Sequence, residues 1–86
     1  MKQFTITVND PNGLHARPAG QLAKAAAGFK SRVVLEKNGR TADSRRLMAI
    51  MALCVKQGEA VHITVEGEDE DAAAKALAQF FSTQCS

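Results

Sequence analysis

The chain has 86 residues, of which 45% are hydrophobic, 11 are basic and 9 are acidic. A chain of this length has material for one hydrophobic core, so we expect a single domain over residues 1–86. The net charge of +2 does not favour nucleic-acid binding, and no apolar run approaches the roughly 20 residues that a membrane span needs. We therefore expect a cytoplasmic protein with no nucleic-acid partner.

The first strand and the first helix are separated by a turn. Apolar and polar residues alternate over residues 4–8, which is typical of a half-buried strand. The turn-forming sequence Asp-Pro-Asn-Gly at 10–13 ends that strand. Helix-forming residues then follow over 16–27, and Gly28 predicts the end of this helix.

The remaining strands are also marked by their residue types. Residues 33–35 form a β-branched and aliphatic run that leads to Asn38-Gly39, a pair typical of a type I′ hairpin turn. The returning strand is short and covers 40–42. A fourth strand is predicted over 61–66, where apolar and polar residues alternate again.

A short helix is predicted between the hairpin and the fourth strand. Ser44 or Asp43 is expected to cap its N-terminus, and the helix is expected to run to about Cys54. Lys56-Gln57-Gly58 then breaks it. Four apolar residues at helical spacing are predicted to form its buried stripe: Leu47, Ile50, Met51 and Cys54.

The last predicted element is a helix that follows the acidic residues 68–71, whose charge suits a helix N-terminus. Its core residues are predicted to be Ala73, Leu77 and Phe80. The resulting order, βαββαβα, indicates an α+β fold in which the helices pack on one face of a sheet.

The cysteines and histidines do not indicate a disulfide or a metal site. Cys54 and Cys85 are scattered and are read as reduced thiols. His15 and His62 lie in separate elements, and neither has the spacing of a zinc ligand. His62 is predicted to be an exposed strand residue.

His15 directly precedes the first helix, which carries Pro18 in its first turn, a position that proline tolerates. Free N–H groups of Ala16 and Arg17, the helix dipole and the Arg17 side chain would form an anion site beside the imidazole. The same positive surroundings disfavour imidazolium, so His15 is expected to be neutral and nucleophilic near pH 7. A nucleophile beside a phosphate site suggests phosphoryl transfer.

Other interpretations of these residues stay open at this point. His15 could simply cap the helix, or the site could bind a small anion without chemistry. An enzyme that uses His15 as a general base has little support, because no second acid or base is placed near it by the sequence. The chain has neither a P-loop nor a glycine-rich dinucleotide motif.

Residues 12–19, NGLHARPA, resemble the active-site signature of HPr, the histidine phosphocarrier family of the bacterial phosphoenolpyruvate:sugar phosphotransferase system. The resemblance implies an open-faced β-sandwich, in which three helices cover one face of a four-stranded antiparallel sheet. Further matches follow in order along the chain: Gly28-Phe29, Asn38-Gly39, Leu47-Met48, Lys56-Gln57-Gly58-Glu59 and Gly67-Glu68-Asp69-Glu70.

The resemblance also implies a function. Nδ1 of His15 would accept a phosphoryl group from phospho-enzyme I and pass it to an enzyme IIA domain. Arg17 and the amides of Ala16 and Arg17 would hold that group. No cofactor or metal is implied, and the protein would be a carrier rather than an enzyme.

One position departs from the family pattern. Many members carry a regulatory serine, the target of a dedicated kinase, where this chain has Arg46. Ser44 lies two positions earlier and is interpreted as a helix cap rather than a substitute target. The departure leaves open a specialised paralogue that serves one pathway, or a regulatory binding module that keeps the fold.

A docking surface is expected around His15, because successive partners must reach the same imidazole. Its second half would come from the short helix, where the flexible thioether of Met48 suits varied contacts. The predicted contact residues lie on the first helix and at the start of the short one: Gly20, Gln21, Lys24, Arg46, Leu47 and Met48. For Leu47, burial in the core is a serious rival. The protein is expected to be a monomer.

Overall fold

A computed structural model describes residues 1–84 of the chain, and the element order βαββαβα is confirmed. Cys85, one of the two predicted thiols, lies outside the described residues. Within residues 1–84, no helix is long and apolar enough to cross a membrane. The elements are β1 (Lys2–Thr7), α1 (Ala16–Ala27), β2 (Arg32–Lys37), β3 (Arg40–Asp43), α2 (Leu47–Ala52), β4 (Ala60–Glu66) and α3 (Glu70–Gln84).

The strands form one antiparallel sheet in the order β1-β4-β2-β3. β4 lies in the centre, where Ile63 pairs with Phe4 of β1 on one side and with Leu35 of β2 on the other. Helices cover one face and leave the other open, as the sequence predicts. Asn38 and Gly39 both have positive φ, the conformation that a type I′ hairpin turn requires.

The core lies between the sheet and the helices. Val61, Ile63 and Val65 alternate into it from β4, and each side chain is buried. From α3 the buried residues are Ala73, Leu77 and Phe81, spaced four apart on one helix face. Phe80, which was predicted for the core, is only partly buried; it packs edge-on against Phe81, with ring centroids 5.4 Å apart.

The buried stripe predicted for α2 is wrong in three of its four residues. Only Ile50 is fully buried, while Leu47, Met51 and Cys54 are exposed. The reason is that α2 ends at Ala52, after less than two turns, so its inward contact is supplied by Ile50 and by Leu53 just beyond the helix. Cys54 lies outside the helix with a φ of 53°, and it is an exposed free thiol.

The predicted cap of α2 is also wrong. The N-cap residue is Arg46, in an extended conformation. The Asp43 carboxylate instead accepts the N–H of Arg45 at 2.9 Å, one residue before the N-cap. Ser44 is completely buried, and its hydroxyl has no hydrogen-bond partner within the described residues.

A single carboxylate joins the start of α3 to the start of β2. Asp69 accepts the backbone N–H of Lys30 at 2.9 Å and that of Ser31 at 2.8 Å, and it also accepts the hydroxyl of the buried Ser31. These bonds favour the charged form and lower the pKa of Asp69, with the Ser31 hydroxyl as the main cause and the Lys30 N–H next.

We expect Asp69→Asn to lower the thermal midpoint at neutral pH, because the ionised carboxylate is the form that these three donors stabilise. A lowered folded-state pKa contributes stability above the ordinary aspartate pKa, and this stability is lost as the pH falls through the folded value. The midpoints of wild type and variant should therefore converge below about pH 4, as followed by circular dichroism. Asp71→Asn is the control, because the pairing partner of Asp71 among the described residues is the exposed Lys2 on the surface. A difference between the two thermal midpoints that did not change with pH would contradict the prediction.

Candidate functional site

The loop before α1 is held against the segment that leads into β4. The Leu14 N–H donates to the Val55 carbonyl at 2.9 Å, and the Leu14 side chain is buried in the core. Gly13 has a φ of 67°, and an added Cβ there would overlap the same Val55 carbonyl. Glycine is thus required at this close approach, and the backbone that carries His15 is fixed on its N-terminal side.

His15 is the N-cap residue of α1, as its position before the helix predicts. Its backbone is extended, with φ −93° and ψ −173°, and its carbonyl accepts the Ala19 N–H at 3.0 Å. The side chain makes no capping bond within the described chain. Because Pro18 has no N–H and Ala19 starts the helical ladder, the amides of Ala16 and Arg17 point out of the positive helix end.

An open cavity of about 390 Å³ lies at this helix end. The imidazole of His15 remains 39% exposed within it. The cavity brings together three of the predicted site residues, His15, Arg17 and Gln21, and it also contains residues that sequence reasoning missed. Its lining is Asp10, Asn12, His15, Arg17, Pro18 and Gln21.

Asp10 is the main residue that the sequence reading missed. One carboxylate oxygen, Oδ2, lies 3.8 Å from Nε2 of His15, and the side chain is 27% exposed. The other oxygen, Oδ1, accepts the Asn12 N–H at 2.8 Å, while the Asp10 carbonyl accepts the Gly13 N–H at 2.8 Å. The sequence predicted a turn at Asp10, but it did not predict that this turn places the Asp10 carboxylate beside the imidazole.

The remaining residues predicted on α1 do not line the cavity. Ala16 and Lys24 are exposed, and Gly20 is half-buried. A side-chain carbon placed on Gly20 would meet no atom within 4 Å, so the surface above it is open.

The predicted contact residues of α2 lie on its exposed side. Met48 is 76% exposed and Leu47 is 37% exposed, so the rival interpretation that places Leu47 in the core is wrong. Arg46 is also exposed. α2 packs against α1, and the outer sides of the two helices therefore belong to neighbouring parts of the surface.

Three other polar side chains outside the cavity lining are bound or buried elsewhere in the fold. The Arg45 guanidinium donates to the carbonyls of Phe29 at 2.6 Å and Ser31 at 3.3 Å, which ties it to the loop after α1. The Ser44 hydroxyl is buried and out of reach of a kinase in the folded protein. His62 lies on the open face of the sheet, half-buried rather than exposed as predicted, with Nδ1 3.2 Å from Thr5 Oγ1.

The part of the chain that the structure describes contains no cluster of three histidine, cysteine or carboxylate side chains that could hold a metal ion. Within the described residues, the polar side-chain contact at the site joins the His15 imidazole and the Asp10 carboxylate. The chemistry available there is that of an exposed imidazole, one carboxylate, one guanidinium and the amides of a helix end.

Comparison with known proteins gives concordant results. Residues 2–83 match the family model described as PTS HPr component phosphorylation site. The phosphocarrier protein HPr of Lysinibacillus sphaericus is 44% identical over 78 residues, covering 91% of this chain and 89% of the relative.

Solved structures agree in fold and sequence. HPr from Thermoanaerobacter tengcongensis has a TM-score of 0.91 and 38% identity, over 96% of this chain and 93% of that chain. Crh, the catabolite repression protein of Bacillus subtilis, has a TM-score of 0.77 and 35% identity, over 100% of this chain and 99% of that one; it was found as a dimer with a swapped domain.

The open-faced sheet under three helices, together with the sequence, places this chain among small phosphocarrier proteins. The chain belongs to the HPr family of phosphocarrier proteins of the phosphotransferase system.

Proposed function

We propose that His15 is the residue that carries the phosphoryl group, and that Arg17 and the amides of Ala16 and Arg17 bind it. The observation that supports this most directly is the exposed imidazole in a cavity at the positive end of α1, lined also by Arg17. Helix N-termini favour anions through their free N–H groups, and a guanidinium adds charge-assisted hydrogen bonds. The first turn of α1 contains no acidic residue, and the one carboxylate in the cavity lining is that of Asp10, on the Nε2 side of the ring.

The donor is phospho-enzyme I and the acceptor an enzyme IIA domain, as HPr family membership implies. Incubation with enzyme I and phosphoenolpyruvate should add one phosphoryl group, detected by intact mass. Addition of an enzyme IIA domain should remove it. The group should be lost in acid, as a phosphorus–nitrogen bond is. Failure of the protein to accept a phosphoryl group from enzyme I would contradict the proposed function.

A second candidate is a specialised paralogue, which Arg46 favours because it has no hydroxyl for the regulatory kinase; a regulatory binding module is less favoured, because His15 and Arg17 are both retained. Crh, which is 35% identical to this chain, is an example of a relative named for catabolite repression. The same incubation separates the two: a pure binding module would remain unphosphorylated, whereas a carrier would cycle. A pathway-specific carrier would accept the group but pass it to only one of several enzyme IIA domains.

The docking surface, as we propose it, joins the mouth of the cavity to the exposed side of α2. Two apolar residues, Leu47 and Met48, are exposed at the start of α2, and Arg46 precedes them. On α1, Gln21 lines the cavity while Gly20 and Lys24 extend the surface along the helix. Apolar contact would supply affinity, and the cationic groups would attract acidic partners in a salt-dependent way.

We expect Met48→Asp to raise the apparent KM for enzyme I about tenfold, because a charge would replace exposed apolar contact area. The steady-state rate of transfer at varied protein concentration measures this. The fold should remain intact by circular dichroism, since the side chain is 76% exposed.

Two further variants serve as controls for Met48→Asp. Met48→Leu keeps the apolar surface and should transfer nearly normally. Ala72→Asp adds the same charge on the exposed side of α3 and should leave KM unchanged. An unaltered KM in Met48→Asp, or a loss of its fold, would rule out the proposed contact.

We further propose that the carrier acts as a cytoplasmic monomer. β1 pairs with β4 of the same chain along all six of its residues, so the sheet is complete without a strand from a second copy. The swapped dimer of Crh is the contrasting arrangement in a relative.

A further inference from the structure

We infer that Asp10 is a positioning residue for phosphoryl transfer, which directs the Nε2–H of His15 toward its carboxylate and so leaves the lone pair on Nδ1. The inference rests on the proposed role of His15 as phosphoryl acceptor. It explains from this chain's own geometry why one ring nitrogen, rather than the other, would react. The observation behind it is the 3.8 Å separation between Asp10 Oδ2 and His15 Nε2.

The Asp10 carboxylate is held in place by its own turn. Oδ1 accepts the Asn12 N–H at 2.8 Å, which leaves Oδ2 as the oxygen near the imidazole. The Asp10 carbonyl accepts the Gly13 N–H at 2.8 Å and closes the same turn. The Leu14 N–H donates to the Val55 carbonyl, so the backbone next to His15 is also fixed.

A carboxylate near one ring nitrogen selects the tautomer. In a neutral imidazole one nitrogen carries the proton and the other the lone pair, and an acceptor favours the N–H on its own side. At 3.8 Å the pair is too far apart for a good hydrogen bond, but the negative charge still favours the proton on Nε2 over that on Nδ1.

The charges on the ring change during transfer. As the Nδ1 lone pair forms the bond to phosphorus, the bond between phosphorus and the donor breaks and its electron pair stays on the donor. The ring keeps its Nε2–H and gains a positive charge, which then faces Asp10. Transfer to the acceptor reverses these changes and returns the neutral ring.

The inference is tested with Asp10→Ser, which keeps an oxygen for the Asn12 N–H but places none beside the ring. In the wild-type protein, ¹⁵N NMR of the neutral His15 ring should show mainly the Nε2–H tautomer. The ratio of the two tautomers should fall about twofold in Asp10→Ser, because in water-like surroundings the carboxylate distinguishes two proton positions whose distances from it differ by only about 2 Å. Phosphoryl acceptance from enzyme I should slow measurably but by less than that factor, because the reactive tautomer stays well populated.

Asp10→Asn keeps the shape of the side chain without its charge and should give an intermediate rate. Glu68→Gln, which removes the same charge from the exposed turn before α3, should match the wild type in both readouts. An unchanged tautomer ratio in Asp10→Ser would overturn the inference even if transfer slowed. A wild type that shows this tautomer but is never phosphorylated would contradict the proposed function instead.

Discussion

His15→Ala should accept no phosphoryl group from enzyme I and phosphoenolpyruvate, while the wild type gains one. The reason is that the imidazole is the nucleophile exposed in the cavity at the end of α1, and alanine offers no atom that could replace it. The fold should survive, because the His15 side chain is 39% exposed and makes no capping bond within the described residues. Intact mass before and after acid treatment measures the adduct.

The second histidine provides the matched control. His62 lies on the open face of the sheet beside Thr5, away from the cavity lining. His62→Ala should therefore be phosphorylated to the same extent as the wild type. If His15→Ala were phosphorylated, or if His62→Ala were not, His15 would not be the phosphoryl acceptor.

Arg17→Ala should slow phosphoryl transfer tenfold or more with little change in the thermal midpoint. The guanidinium lines the cavity with His15, where negative charge develops as the phosphoryl group arrives, and a charge-assisted hydrogen bond contributes about 1.5 to 3 kcal/mol. Because the residue is exposed, its removal disturbs little of the core. Single-turnover transfer from phospho-enzyme I gives the rate directly.

Arg17→Lys should restore only part of the rate, because an ammonium group keeps the charge but not the planar fork of donors. Arg32→Ala removes an equal charge from the exposed surface of β2 and should transfer normally. If Arg17→Ala were as fast as the wild type, or slowed no more than Arg32→Ala, the arginine would have no specific role in transfer.

Most of the fold follows from local patterns. β4 alternates cleanly between apolar and polar residues, and the Asn38-Gly39 pair fixes the hairpin between β2 and β3. The errors lie in α2, where helical spacing alone placed Cys54 in a buried stripe. In a helix this short, tertiary contacts decide the end, and the left-handed conformation at Cys54 turns the chain away. In α3, helical spacing also predicted Phe80 rather than Phe81 for the core. Which of the two side chains is buried depends on the exact rotation of this helix.

The candidate site was predictable only in its helical half. His15, Arg17 and Pro18 mark a helix start within a few residues, and the structure places them at the cavity. Asp10 lies five residues before His15 in a turn, and no periodic pattern relates the two side chains. Their approach depends on the Asn12 and Gly13 hydrogen bonds, which only the folded turn displays.

The bond between the Leu14 N–H and the Val55 carbonyl also bears on how fast a carrier can exchange partners. Fixing the backbone of one residue removes conformational entropy equivalent to about 1 to 2 kcal/mol. In this chain the loop before α1 is already ordered when folding is complete, since Gly13 and Leu14 lie closely against Val55. A protein that meets a donor and an acceptor in every cycle thus has no loop to order at either encounter. We therefore expect Gly13, which does not line the cavity, to support transfer by keeping this loop ordered.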